Sequence, residues 1–227
     1  MIIQIYALTD IEQAQRAAEM GVDHIGFVAG RYGVVHGELS FAEARKLADS
    51  LPPRTIRVAL TMAESVDEIL RMADAVQPDI VHVSSDTDCV GPGAMASLRK
   101  RLPVTTRLMK ALPVDDEGSI DVARRFAQTS DLLLLDTKVH GLAGVGASGR
   151  THDWRISRRI VESVSVPVIL AGGLSPENVA ASIEAVRPWG VDSNTATNLP
   201  GSSVAKDMER IRAFVSAARG AETGAST

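Results

Sequence analysis

The chain has 227 residues, 45% of them hydrophobic and 23% charged, with a formal net charge of −4 at pH 7. This composition is typical of a globular protein with a sizeable core, and its weak acidity gives no electrostatic reason to expect nucleic acid or an anionic membrane as partner. The single cysteine, Cys89, excludes a disulfide framework, and the histidines lack metal-ligand spacing, so we expect neither metal nor cofactor. No apolar run approaches the roughly eighteen residues of a membrane span, and the N-terminus turns polar too soon for a signal peptide. These features suit the cytoplasm.

Short apolar runs alternate with amphipathic segments along the whole chain. Helix starts are indicated by Asp10, by Ser40, and by Ser65 with Glu68 three residues later. The predicted strands are 2–7, 24–28, 57–60, 80–83, 105–108, 132–135, 168–171 and 190–193. The predicted helices are 11–20, 41–50, 65–75, 94–101, 120–128, 155–164, 176–186 and 205–219.

Eight strand–helix units predict an α/β fold in which a parallel sheet carries helices outside it. Eight is the number that closes a (β/α)8 TIM barrel, and an open doubly wound sheet, which usually has fewer strands at this length, is the alternative. No linker or composition shift marks a domain boundary. We therefore expect one parallel eight-stranded barrel domain over residues 1–220, followed by a disordered tail over 221–227.

Active groups of such barrels lie at the carboxyl ends of the strands and in the loops that follow them. That rule selects candidate residues directly from the predicted strand boundaries. They are Tyr6, Arg31 within GRYG, His82, Ser84, Ser85, Lys110, Asp136, Gly172, Gly173, Asn194 and Thr195.

The segment 167–179, PVILAGGLSPENV, joins a buried strand to a helix through Gly172 and Gly173. Ser175 is expected to cap the helix, with Pro176 in its first position. Free backbone N–H groups at such a turn suit a phosphate, although glycines alone also fit an ordinary strand-to-helix turn.

Three polar residues at predicted strand ends each allow two interpretations. Asp136 ends LLLLDT and is either a turn residue or a catalytic acid or base whose pKa is raised by apolar surroundings. Lys110 could neutralise a phosphate or form a Schiff base, or could be a lysine paired with a nearby acid. His82 is either a proton-transfer group or a hydrogen-bonded core histidine. The glycine-rich loop 140–150 is interpreted as a lid over the barrel mouth.

Several segments together resemble one family, the phosphoribosylanthranilate isomerases of tryptophan biosynthesis, over nearly the whole chain. They are GVDHIGFV at 21–28, LLLLDT at 132–137, SGRTHDW at 148–154, PVILAGGLSPENV at 167–179, and PG with KDMERIRAFV at 200–215. The resemblance implies a barrel that binds a ribose 5-phosphate derivative in a phosphate cup. The cup would be formed by Gly172 and Gly173 and by the backbone around Asn194 and Thr195.

The family's reaction is an Amadori rearrangement, in which an acid opens the sugar ring to an imine and a base removes the proton on C2. Asp136 matches the family's acid. The family's base is a cysteine in a Lys-Ile-Cys-Gly segment, but this chain has Gln-Ile-Tyr-Ala there, so Tyr6 or His82 would have to replace it. Arg31 matches loosely the arginine that holds the anthranilate carboxylate.

The resemblance leaves three hypotheses open. The first is an isomerase of the phosphoribosylanthranilate type, a monomer or homodimer acting on a small sugar phosphate. The second is a paralogue that acts on another sugar phosphate as an isomerase, an epimerase or a lyase that uses Lys110. The third is a non-catalytic barrel that binds a phosphate ligand.

Overall fold

A computed structural model describes residues 1–137 and 151–224 and contains nine strands and eight α-helices in these ranges. The strands are β1 (Ile2–Ile5), β2 (His24–Ala29), β3 (Glu38–Leu39), β4 (Ile56–Thr61), β5 (Ile80–Val83), β6 (Arg107–Val114), β7 (Leu132–Thr137), β8 (Val168–Leu170) and β9 (Gly190–Ser193). The helices are α1 (Ile11–Glu19), α2 (Phe41–Ser50), α3 (Val66–Val76), α4 (Pro92–Arg101), α5 (Gly118–Ala127), α6 (Trp154–Ser163), α7 (Val179–Val186) and α8 (Met208–Gly224).

The sheet closes on itself because β1 pairs in parallel with both β2 and β9. Eight strands form the barrel, and the two-residue β3 pairs only with β2. This closed parallel architecture confirms the predicted (β/α)8 barrel. Strand β3 was not predicted, since two residues are too few to show a hydrophobic pattern.

The predicted helix starts are confirmed at the first three helices. Asp10 accepts a hydrogen bond from the backbone N–H of Gln13, and Ser65 caps α3. Ser40 and Glu43 form a reciprocal capping box at α2. These caps satisfy backbone N–H groups that the first helical turn leaves unpaired.

Three turns that lead into strands have the same feature, an aspartate directly before the strand. Asp79, before β5, accepts the backbone N–H of Arg57 at 2.8 Å and pairs with that guanidinium at 2.6 Å. Asp23 and Asp131 bind the backbone N–H of Ile3 and of Leu108 in the same way, and each also pairs with an arginine. Each carboxylate thus joins two neighbouring strands at the end of the barrel opposite their carboxyl termini.

Side chains inside the barrel form a small core of their own, separate from the larger core between barrel and helices. Met109 and Ala111 of β6 lie in the inner core. Lys110 between them points outward, where its ammonium donates to the carbonyls of Ser85 at 2.6 Å and Val83 at 3.3 Å. The prediction that Lys110 lies at a strand end facing the ligand is wrong, because β6 continues to Val114 and alternation turns Lys110 toward the helices.

Two helix boundaries differ from those predicted. Helix α7 begins at Val179, so Ser175 is not its N-cap, and residues 176–178 form a turn first. Helix α8 continues to Gly224, into the tail expected to be disordered, and Glu222 there pairs with the N-terminal ammonium. No helix in the described part of the chain is long and apolar enough to cross a membrane.

Candidate active site

A cavity of about 220 Å³ opens among the carboxyl ends of the barrel strands. It brings together six of the predicted site residues, which lie up to 189 positions apart in the sequence: Tyr6, His82, Ser84, Asp136, Asn194 and Thr195. The remaining wall is mixed. Val28, Leu60, Met62 and Leu134 are among its apolar side chains, and Asp192 and Asn198 are among its polar ones. The cavity thus offers both apolar surface and polar partners to a ligand.

Asp136 lies near the end of β7 and reaches the cavity from a strand of four leucines. Removal of the carboxyl from bulk water raises its pKa to about 7, against the opposing effect of the Thr137 backbone N–H, which donates to Oδ1 at 2.6 Å. A carboxyl with this pKa carries a proton for much of the time at neutral pH. Asp136 can therefore act as a general acid.

Tyr6 and His82 hydrogen-bond to each other inside the cavity, with 2.5 Å between the phenol oxygen and Nδ1. Burial, and then the nearby carboxyl of Asp192, raise the pKa of Tyr6 well above its usual value. Burial, and then the charge of Lys110, lower the pKa of His82 to about 3. At neutral pH the pair is a phenol and a neutral imidazole, neither of which accepts a proton readily.

Asp192 is a cavity residue that the sequence analysis missed. It lies on β9 and is 7% exposed, and its Oδ1 accepts a hydrogen bond from the Gln4 amide at 3.1 Å. Burial, with Asp136 as an additional cause, raises its pKa to about 8. A signal was present in the sequence, because an aspartate inside the apolar segment GVDS has the same parity as Asn194 and so faces the barrel interior.

The glycine turn after β8 lies directly against Asp136. Gly172 and Gly173 have φ angles of +83° and +64°, a region that residues with a Cβ rarely adopt. A Cβ on Gly172 would lie 3.2 Å from the Asp136 Oδ1 and 2.6 Å from the Thr137 Oγ1. Asn178 fixes the turn from outside by donating to the carbonyl of Gly173 at 3.0 Å.

The turn after β9 is held by a buried lysine that the sequence analysis did not select. The Lys206 ammonium donates to the backbone and side-chain oxygens of Asn194, both at 3.0 Å, and to Asn198 at 2.6 Å. Burial lowers its pKa to about 7, and Asp192 opposes that shift. The lysine therefore fixes the backbone around Asn194 and Thr195 from below.

Arg31 lies away from the cavity, contrary to the expectation that it holds a ligand carboxylate there. Its guanidinium is exposed, pairs with Glu43 at 2.8 Å, and lines a neighbouring surface groove that shares Val34 and Met62 with the cavity. From the same loop the cavity receives Val34, Val35 and His36 instead. The loop has this shape because the Glu38 carboxylate accepts the backbone N–H groups of residues 32–35.

Two further expectations concern a metal and a lid. Within residues 1–137 and 151–224, no group of three or more histidines, cysteines, aspartates or glutamates lies close enough to hold a metal ion. The glycine-rich loop 140–150, interpreted from the sequence as a lid, lies outside the described residues.

Fold and cavity together define a barrel with the architecture of a general acid–base enzyme: two interior carboxyls, one of them beside a glycine turn, at the carboxyl ends of the strands. The family model of N-(5'-phosphoribosyl)anthranilate isomerase matches residues 3–217. The chain belongs to this family.

Relatives and solved structures agree with that membership. The N-(5'-phosphoribosyl)anthranilate isomerase of Methanothrix thermoacetophila is 35% identical over 94% of this chain and 95% of its own. Its counterpart from Haloarcula marismortui is 32% identical over 98% of each chain. The crystal structure of the Thermotoga maritima isomerase covers 97% of this chain and 100% of its own, with a TM-score of 0.78 and 28% identity. Another isomerase structure, with a TM-score of 0.76 and 26% identity, contains reduced 1-(o-carboxyphenylamino)-1-deoxyribulose 5-phosphate.

Proposed function

We propose that this protein is an isomerase that converts phosphoribosylanthranilate, an aminoaldose, into the corresponding aminoketose. The observation that carries the proposal is the position of Asp136. A carboxyl with a pKa raised to about 7 lies in the barrel cavity, within van der Waals reach of the Gly172 turn. Relatives that match almost the full length of the chain bear the name of this isomerase, which favours the proposal over a paralogue with another sugar phosphate.

In the proposed reaction Asp136 gives its proton to the ring oxygen while the C1–O bond breaks. The nitrogen lone pair forms the new C1=N bond, so the sugar opens to an iminium ion at C1. Loss of the C2 proton then gives an enaminol, and protonation at C1 with loss of the C2 hydroxyl proton gives the ketone. The reaction neither consumes nor releases protons overall.

The phosphate of the substrate would bind between the two turns that follow β8 and β9. Neither Gly172 nor Gly173 donates a backbone hydrogen bond within the described part of the chain, so their N–H groups are available to an anion. Asn194 and Thr195 would contribute backbone on the other side, fixed by Lys206. These four residues make up the proposed phosphate cup.

The base that removes the C2 proton was expected to be Tyr6 or His82. Both residues line the cavity, but their mutual hydrogen bond and their pKa values do not favour the role. We propose instead that they shape the sugar-binding end of the cavity. The protein would act in the cytoplasm as a monomer or homodimer, without a cofactor.

Complementation tests the proposed function in vivo. A tryptophan auxotroph that lacks its own phosphoribosylanthranilate isomerase should grow without tryptophan when it expresses this chain. The Asp136→Asn variant, produced at the same soluble level, should not support growth. Absence of growth with soluble, folded wild-type protein would refute the proposed function.

A further inference from the structure

We propose that Asp192 is the catalytic base, replacing the cysteine that the family carries at the end of its first strand. This inference rests on the proposed function. It concerns which residue accepts the C2 proton, a role that neither Tyr6 nor His82 fits.

The register of the barrel places Asp192 next to the position that lacks the cysteine. Strands β1 and β9 are paired neighbours, and Gln4 lies opposite Asp192. Tyr6, at the cysteine's position, directly follows β1 and is the next inward-facing residue after Gln4. A carboxyl on the adjacent strand, one step deeper, therefore faces the same end of the cavity.

The carboxyl of Asp192 is oriented by a short hydrogen-bonded chain inside the barrel. The Gln4 amide nitrogen donates to its Oδ1 at 3.1 Å, and the Gln4 amide oxygen bonds to the His24 Nδ1, also at 3.1 Å. His24 in turn lies against the ring of Trp189. Oδ2 of Asp192 has no hydrogen-bond partner within residues 1–137 and 151–224, which leaves it available to a ligand in the cavity.

Asp192 and Asp136 form a pair that can supply an acid and a base together. Burial raises both pKa values, and the charge of Asp136 raises that of Asp192 further, so the two carboxyls hold at least one proton between them near neutral pH. A sugar ring oxygen at Asp136 accepts a hydrogen bond only from a protonated carboxyl, so substrate binding draws the proton to Asp136.

Two neighbours of Asp192 partly offset the cost of burying the anion that this transfer leaves behind. The Gln4 amide donates to it from β1, and the positive charge of Lys206, on the segment before α8, lowers its pKa. Tyr6, directly after β1, and Asp136 on β7 are the other titratable groups coupled to it. Oδ2 then takes the proton from C2, and the C–H electron pair forms the C1=C2 bond as the iminium electrons return to nitrogen. The proton that Asp192 has gained is returned when C1 is protonated.

Steady-state kinetics of the purified full-length protein with phosphoribosylanthranilate test the assignment. Asp192→Asn keeps an acceptor for the Gln4 amide but removes the base, so we expect kcat to fall on the order of 10²- to 10⁴-fold. Affinity for the reduced aminoketose phosphate, measured by calorimetry, should change less than about threefold. Asp131→Asn removes a carboxylate from the opposite end of the barrel and should leave kcat unchanged.

The pH profile separates a base from a merely structural residue. Wild-type kcat/KM should rise and then fall with pH, because one carboxyl must be ionised and the other protonated. Asp192→Asn should lose the rising limb and Asp136→Asn the falling limb. If Asp192→Asn keeps the rising limb, or more than a third of kcat, the inference is wrong while the proposed function stands. If the folded wild-type protein is inactive, both the proposed function and the inference about Asp192 are wrong.

Discussion

At the scale of single residues, Gly172 connects the glycine turn to the carboxyl of Asp136, which we propose to be catalytic. Its φ of +83° is unfavourable for any residue with a Cβ, and the space that a Cβ needs is occupied by Thr137 and Asp136. The turn therefore requires a glycine both for its conformation and for its closeness to Asp136. This steric requirement predicts that adding one methyl group at Gly172 lowers both the stability of the fold and the rate of turnover.

We expect Gly172→Ala to lower the free energy of unfolding by about 1–3 kcal/mol and to reduce turnover, since the new Cβ would displace Asp136. Urea unfolding and steady-state kinetics measure the two effects. Gly93→Ala is the matched control: a Cβ added to Gly93 in α4 would meet no atom of the described residues within 4 Å, so alanine should stabilise the helix by up to about 1 kcal/mol. Equal effects of the two substitutions would contradict this interpretation of the turn.

The raised pKa of Asp192 also predicts a pH-dependent cost in stability. An aspartate titrates near 3.9 in the unfolded chain and at about 8 in the folded chain. Between these pH values the folded chain holds a proton that the unfolded chain has released, so the free energy of unfolding falls as pH rises, by up to about 1.4 kcal/mol per pH unit.

Asp192→Asn removes this titration. The stability of the variant relative to wild type should therefore increase from pH 5 to pH 8, as measured by urea unfolding at several pH values. A constant difference across that range would show that Asp192 titrates near its ordinary value in the folded chain.

Site residues could be predicted from the sequence only where a polar residue or a glycine directly follows a recognisable strand. Asp136 and the glycine turn each follow a clear apolar segment, and in the structure Asp136 lies against Gly172. Lys110 was placed wrongly because β6 continues through Lys110 and Pro113, neither of which resembles a buried strand in sequence. Arg31 was misplaced because the path of a loop depends on contacts such as those of Glu38, which no local pattern reveals.

At the scale of elements, the aspartates before β2, β5 and β7 join neighbouring strands at the end of the barrel away from the cavity. Asp79 makes the most contacts of the three. Its carboxylate accepts two hydrogen bonds from the Arg57 guanidinium and one from the Arg57 backbone N–H. These bonds lower the pKa of Asp79 despite its partial burial. The stability that they contribute is therefore present above the unfolded pKa and is lost as pH falls through the folded value.

Asp79→Asn should lower the free energy of unfolding by about 1–3 kcal/mol at pH 7 and leave kcat unchanged, because the substituted group lies far from the cavity. Urea unfolding and kinetics of the same preparation measure both quantities. Asp67→Asn is the control, since its pair with Arg101 is exposed and should contribute less than about 1 kcal/mol. A change in kcat without a change in stability would contradict a purely structural role for Asp79.

At the scale of the whole molecule, the barrel was predictable because its strands and its helices both leave a recognisable hydrophobic pattern in the sequence. Eight apolar runs alternate with amphipathic segments, and two strands, at 80–83 and 190–193, have the predicted bounds. The side-chain contacts inside the cavity were harder to predict from the sequence. Tyr6 and His82 are 76 residues apart, and their mutual hydrogen bond depends on closure of the sheet.

The molecule as a whole has the scaffold of its family, and our account gives it an altered catalytic end. The chain belongs to the phosphoribosylanthranilate isomerase family, yet the sequence resemblance puts Tyr6 where the family's base is expected. Our explanation is that a pair of interior carboxyls, Asp136 and Asp192, performs the acid–base chemistry. Replacement of the cysteine then changes which group accepts the proton and leaves the reaction unchanged.

Turnover of phosphoribosylanthranilate by the purified protein, followed by chromatographic separation of substrate and product, tests this explanation most directly. We predict that the wild-type protein forms the aminoketose and that Asp136→Asn slows its formation by about 100-fold or more. Absence of product with folded wild-type protein, or equal rates for wild type and variant, would contradict it.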